Sequence, residues 1–203
     1  MTNLDKALAE ISAIRGQMAR ATEFRGYGPR TFAVTSLLAV MASLAQSLWL
    51  RRPATHLPLW LALWVGTAAV SAALIGFEMV TRSRRIHSDL AEDMIRAAVE
   101  QFLPAGAAGA LITVVLIWFE PQTASLLPGL WQILFGLGVF ASCRFLPKVL
   151  ALVGVWYLAS GLFALALSAG PHAFSPWLMG VPFGVGQALV AILLQHSVEA
   201  EHG

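Results

Sequence analysis

Between Leu57 and Val80 the chain reads LPLWLALWVGTAAVSAALIGFEMV, with no charged residue before Glu78. Backbone polar groups in hydrocarbon must pair within the chain, so an uninterrupted apolar run of this length is predicted as one membrane-crossing helix. The alternation that marks a barrel strand is absent. Five further stretches share this character, giving six spans at about 32–50, 57–80, 102–119, 124–143, 149–169 and 174–195. Composition agrees: of 203 residues, 58% are apolar and 12% charged, and the mean hydropathy is +0.72. Soluble domains carry about 25% charged residues. Six spans use roughly 120 residues, which leaves no room for a separate soluble enzyme domain. The expected fold is all-α and polytopic: a bundle over 31–198 built as three helical hairpins, preceded by segment 1–30, interrupted by a loop at 81–101 and followed by a tail at 199–203.

Orientation follows from the basic residues. Lys6, Arg15, Arg20, Arg25 and Arg30 precede the first span, Arg82, Arg84, Arg85 and Arg96 lie between the second and third, and Arg144 and Lys148 lie between the fourth and fifth. Only Arg51 and Arg52 fall on the other side. Positive residues stay cytosolic, so both termini are expected inside. The first thirty residues hold several charges and no apolar signal core, so the first span is expected to act as its own insertion signal. The outer face is left with short turns around Arg51–His56, Glu120–Thr123 and Gly170–Ala173.

Small residues mark where helices approach closely. Gly180, Gly184 and Ala188 form one such stripe, Ala68, Ala72 and Gly76 another, and Gly106 with Ala110 a third. Pro182 lacks an N–H, so it should bend the last helix and leave a carbonyl on the preceding turn without its helical partner. Buried polarity at mid-depth comprises Ser43, Thr67, Ser71, Thr113, Tyr157, Ser160 and Gln187. Interhelical glue is the plain reading of these groups, and Pro182, Gln187 and Ser160 are the sharper one, an intramembrane polar site. The spans running inward each open with Pro and Trp, at Pro58 and Trp60, Pro128 and Trp131, and Pro176 and Trp177. An interfacial aromatic belt accounts for them, and a weak internal repeat is the alternative. FGLG at Phe135–Gly138 beside FGVG at Phe183–Gly186 favours the repeat.

Catalytic signatures are missing. No HExxH, phosphate loop, CxxC or paired intramembrane carboxylate occurs, and the single Cys143 can form no intrachain disulfide. No Asp, Glu, Lys, Arg or His lies near mid-span, where a proton relay or ion-coupled carrier needs one. His56 with His172, and His87 with His196, could each pair across one rim for haem or metal, although turn positions make solvated histidines the simpler reading. No cofactor is expected.

Organised polar sequence lies almost wholly on the expected inner face. Leu4, Ala7, Ile11, Ile14, Met18 and Ala21 keep an a/d heptad spacing, with Arg15 and Arg20 beside it. Three readings stay open for this amphipathic helix: an anchor on anionic lipid, an arm packed on the bundle, and a docking helix for a partner or a second copy. Arg82, Arg84, Arg85 and His87 then precede a helix begun by Ser88 or Asp89 that runs through Glu100 into the third span. The basic run suits phospholipid head groups, and direct nucleic-acid binding is not expected so close to the bilayer.

IRGQM at Ile14–Met18, EFRGYGP at Glu23–Pro29, FEMVTRSRR at Phe77–Arg85, AVEQFLP at Ala98–Pro104 and WQILFG at Trp131–Gly136 together resemble a family of small bacterial six-span inner-membrane proteins of unassigned activity. The resemblance covers the whole chain. It implies a winged-helix transcription regulator as a partner, since such a regulator is often encoded beside these proteins, and it carries no catalytic residues. The function expected is non-enzymatic, with the cytosolic face engaging a partner. A small-molecule carrier or channel through the bundle is the alternative.

Overall fold

A computed structural model describes residues 28–50, 52–86, 89–143 and 148–199, without the side chains of 82–86, 89–95, 148 and 196–199. Six α-helices occupy these residues: α1 (Pro29–Trp49), α2 (Leu57–Ile86), α3 (Asp89–Phe119), α4 (Leu127–Ser142), α5 (Ala151–Ala166) and α6 (Trp177–Glu199). No strand occurs among the described residues. Five segments are long and apolar enough to cross a membrane, Pro29–Trp49, Leu57–Thr81, Arg96–Phe119, Pro121–Ser142 and Trp177–Gln195. This all-α arrangement fits a multi-pass membrane protein.

The fifth span is shorter than its apolar run. Of the expected 149–169, only the 16 residues Ala151–Ala166 are α-helical, about 24 Å at 1.5 Å per residue. Lys148–Leu150 is a 3-10 turn ahead of it. Behind it, the Ser168 hydroxyl donates to the Leu165 carbonyl at 2.7 Å. Pro171, which has no N–H to give, follows Gly170. Within the connection expected at 81–101, α3 begins at Asp89 and runs unbroken into the third span, as the helix expected from Ser88 or Asp89 requires, and α2 continues further than its apolar run, to Ile86.

The helices form a ring in the order α3, α4, α5, α6, α1, α2, with α1 against α6 and α4 against α5 the most extensive pairs. Each of the three expected hairpins makes its internal contact, yet the two most extensive contacts, α1 with α6 and α4 with α5, join helices of different hairpins. Glycine explains the two close pairs. A Cβ on Gly129 would lie 2.7 Å from the Gly161 carbonyl oxygen, and one on Gly161 would lie 2.9 Å from that of Gly129, so α4 and α5 cross backbone to backbone. On α6, Gly180 faces the Ser43 side chain and Gly184 faces Val40 and the Ser36 carbonyl, so the first small-residue stripe is the seat of α1. The other two stripes have no such partner: Ala68, Ala72, Gly106 and Ala110 are exposed, and a Cβ on Gly76 or Gly106 would touch nothing.

The two FGxG runs play matching roles. Gly136 and Gly184 each face a neighbouring backbone, whereas Gly138 and Gly186 each receive an aromatic ring, Phe102 and Tyr157 respectively. Phe135 and Phe183, which open the runs, meet edge to face with centroids 5.6 Å apart. At the opposite rim the Trp residues divide in a way the belt reading misses. Trp60 is buried and stacks on Trp131 with centroids 5.4 Å apart and planes 12° apart. Trp49, Trp118 and Trp177 are the exposed ones.

The chain enters α1 at Gly28, and the Glu78 carboxylate of α2 occupies the space a side chain there would need. A negative charge at that place complements the free N–H groups of the first turn of α1.

Candidate functional site

The polar centre of the bundle is built around Pro182. A proline at this position leaves the Leu178 carbonyl without its i+4 donor, and a bare carbonyl in an apolar core costs about 1–3 kcal/mol. The helix nonetheless runs on to Glu199. The missing donor comes from another helix: the Gln132 amide nitrogen on α4 reaches the Leu178 carbonyl at 2.7 Å and spends its second hydrogen on the Pro128 carbonyl at 2.9 Å. Gln132 is wholly buried, and its amide oxygen is the one buried side-chain polar atom without a hydrogen-bond partner among the described residues. The Pro182 carbonyl is bonded as well, by the Trp156 indole N–H at 2.9 Å. The orphan expected from the sequence is thus the Leu178 carbonyl, and it is satisfied.

One turn further along α6, Gln187 is buried between α1 and α5. Its amide oxygen accepts from the Thr35 hydroxyl at 3.3 Å, and its nitrogen donates to the Tyr157 hydroxyl at 3.5 Å. Both bonds are long. Tyr157 is fully buried, packs over Gly186, and meets Phe135 and Phe183 ring to ring. Ser160 does not join this group, because its hydroxyl donates back to the Tyr157 carbonyl of its own helix at 3.2 Å. Thr67 and Thr113 bond the carbonyls four residues earlier, and Thr113 also accepts from the Trp131 indole at 2.8 Å.

A second network fastens α1 to α6 nearer the opposite rim. Gln46 donates to the Phe174 carbonyl at 2.7 Å and accepts from the Trp64 indole at 2.7 Å. Ser36 donates to the Gly184 carbonyl at 2.7 Å and Ser43 to the Pro176 carbonyl at 3.2 Å. These carbonyls are reachable because α6 carries glycine or lies outside the helix at the points of approach.

Gln132 and Gln46 are the residues that sequence reasoning passed over. Gln132 stands in the middle of the span expected at 124–143, where a primary amide is expensive to bury, and that cost was the signal available.

The remaining candidates do not converge on this centre. His56 and His172 lie exposed in turns, and no group of three metal-ligating side chains occurs among the described residues. Leu4, Ile11, Ile14, Arg15, Met18, Arg20 and His87 lie outside the described residues, as does the side chain of His196. Arg82, Arg84 and Arg85 fall in the last turns of α2, with side chains outside the description. Arg96 pairs with Glu100 at 3.2 Å on an exposed face of α3. Compared with protein-family models, characterised proteins and solved structures, the chain matches none.

Proposed function

We propose that the chain is a non-enzymatic multi-pass protein of a bacterial inner membrane that presents a helical hairpin to a cytosolic protein partner. The observation that carries this reading is the length of two consecutive helices. α2 has 30 residues and α3 has 31, about 45 Å each at 1.5 Å per residue, against roughly 30 Å of hydrocarbon. The surplus turns hold Arg82, Arg84 and Arg85 on one helix and Glu92, Asp93, Arg96 and Glu100 on the other, so the surplus belongs in water at one end. Eleven of the thirteen Lys and Arg fall in the sequence segments expected on that side, and the preference of positive residues for the cytosol supports reading this end as cytosolic. The segment with Leu4, Ile11, Ile14 and Met18, expected to be amphipathic, precedes Gly28 in the sequence, and Gly28 itself lies at this end, beside Glu78 of α2. A winged-helix regulator is the partner suggested by the resemblance. Carriage of a solute through the bundle has less support, because Phe135, Tyr157 and Phe183 pack ring against ring beside Gln187.

The test is photocross-linking in living cells, with a photoreactive residue at Arg84 or Glu92 and, for comparison, at Gln122. A discrete protein adduct is expected from the first two positions and not from Gln122, and Arg84→Glu with Arg85→Glu should abolish the adduct formed from position 92. Adducts with lipid alone, or equal adducts from Gln122, would remove the partner. Reporter fusions after Arg85 and at Gly203 should be active in the cytosol, and one near His172 in the periplasm.

A further inference from the structure

The seam between α1 and α6 is closed at Gly184, whose carbonyl accepts from the Ser36 hydroxyl at 2.7 Å. Toward the helix ends that carry the chain termini it opens into a furrow of about 510 Å³. Ala33 of α1 and Ala188 and Ala191 of α6 form its walls, and their side chains are too small to fill it. Ile192, half exposed, lies along its edge, so the furrow faces outward from the bundle. From Ala188 to Gln195 it follows about 10 Å of helix axis, within the roughly 15 Å that one leaflet contributes to the hydrocarbon.

Arg30 stands at the open end. Its side chain is exposed and makes no ion pair among the described residues. The acidic side chain at the start of α1, Glu78, approaches Gly28 from α2 and does not line the furrow. An apolar channel one leaflet deep thus ends in a free cation at the level where head groups lie.

That combination narrows the occupant. A soluble anion would leave the alanine walls bare. An α-helix, about 10–12 Å across with its side chains, needs roughly 800 Å³ over the same length and cannot sink into the furrow. A single hydrocarbon chain can, and a phospholipid joins such a chain to a phosphate, which a guanidinium grips through paired N–H donors. A zwitterionic head group brings its own ammonium to compete for that phosphate, whereas an anionic one does not. The geometry points to a binding site for one anionic phospholipid, its phosphate on Arg30 and one acyl chain between Ala33, Ala188 and Ala191. This inference requires the multi-pass arrangement and no cytosolic partner, so it stands or falls apart from the partner reading.

The test places the full chain, with a photoreactive diazirine amino acid in place of Ile192, in nanodiscs of phosphatidylglycerol and phosphatidylcholine in equal amounts with matched acyl chains. Adducts are identified by mass spectrometry. Phosphatidylglycerol adducts should exceed phosphatidylcholine adducts about fivefold, as one arginine near an anionic head group gives. Arg30→Gln should bring the two lipids level, while Arg52→Gln at the opposite rim should leave the excess intact. Ala188→Leu keeps the cation and fills the furrow, and should also bring the lipids level without lowering the melting temperature. Equal adducts in the parent chain, or an excess that survives Arg30→Gln, would overturn the site. Adducts to residues 1–27 or to a second copy in place of lipid would overturn it too, and would give the furrow to protein.

Discussion

Two halves of one helix ring are held by different means. α6 has 56% of its apolar window buried, whereas the corresponding window of α3 has 0%. Both carry small residues at four-residue spacing, so composition does not separate them. The difference lies in what those residues meet. Gly180 and Gly184 bring α6 within reach of hydroxyls on α1, and Gly129 and Gly161 let α4 and α5 touch through their backbones. Gly106 and Gly76 meet nothing, and the helices that bear them are the long ones that extend past the bundle. A small residue is thus permission for contact, and a polar group on the neighbour turns permission into attachment. In lipid, where apolar surface gains little by leaving its surroundings, close packing and interhelical hydrogen bonds are what hold helices together.

The sharpest way to break this contrast is one methyl group placed in each half. Gly129→Ala or Gly161→Ala forces a Cβ against a carbonyl oxygen that cannot move aside, and should destabilise the protein in detergent by about 1–3 kcal/mol. Gly106→Ala and Gly66→Ala have open space and should be neutral or stabilising by up to about 1 kcal/mol through helix propensity alone. Thermal unfolding of the four variants decides the matter. Comparable losses at Gly106 would mean that the exposed stripe is occupied in the intact protein, and homo-oligomer formation through α3 would follow.

The next effect in size sharpens the role of polar attachment. Gln132→Leu strips the Leu178 carbonyl of its replacement donor and should cost about 1–2 kcal/mol, near the penalty for an unpaired buried carbonyl. Pro182→Ala restores a backbone N–H for that carbonyl. In the double variant the loss at Gln132 should therefore shrink, and the coupling between the two positions should be positive. Strictly additive losses would show that Gln132 holds α4 to α6 in some other way.

Much of this was legible in the chain. Apolar run length located the apolar part of each of the six described helices, since burial of backbone in an apolar medium leaves no alternative, and Pro182 announced an unpaired carbonyl. The stripe at Gly180 and Gly184 was readable as a packing face, but nothing marked it as different from the stripes at Ala68 and Gly106. Which stripe is used depends on whether a hydroxyl such as Ser36 or Ser43 stands opposite, and that is a fact about another helix 148 residues away in one case. Gln132 was hidden for the same reason. Its partner carbonyl lies 46 residues downstream and becomes a partner only because of a proline four residues beyond it. Trp60 was misread because Pro and Trp near a span's start suit the interface, whereas stacking on Trp131 draws the ring inward.

The smallest effect concerns Gln187, which looks like the most exposed liability in the sequence and is the least firmly bonded of the three buried glutamines among the described residues. Gln46 and Gln132 each make two hydrogen bonds of 2.7 to 2.9 Å, while Gln187 makes bonds of 3.3 and 3.5 Å. Hydrogen bonds weaken as they lengthen, and interhelical ones in membranes average about 0.6 kcal/mol even at good geometry. Gln187→Leu also removes an amide whose burial carries a cost of its own, so the net change in unfolding free energy should lie within about 0.5 kcal/mol of zero. Gln46→Leu, by contrast, orphans both the Phe174 carbonyl and the Trp64 indole and should cost clearly more. If Gln187→Leu proves as damaging as Gln46→Leu, the long bonds are short in the folded protein.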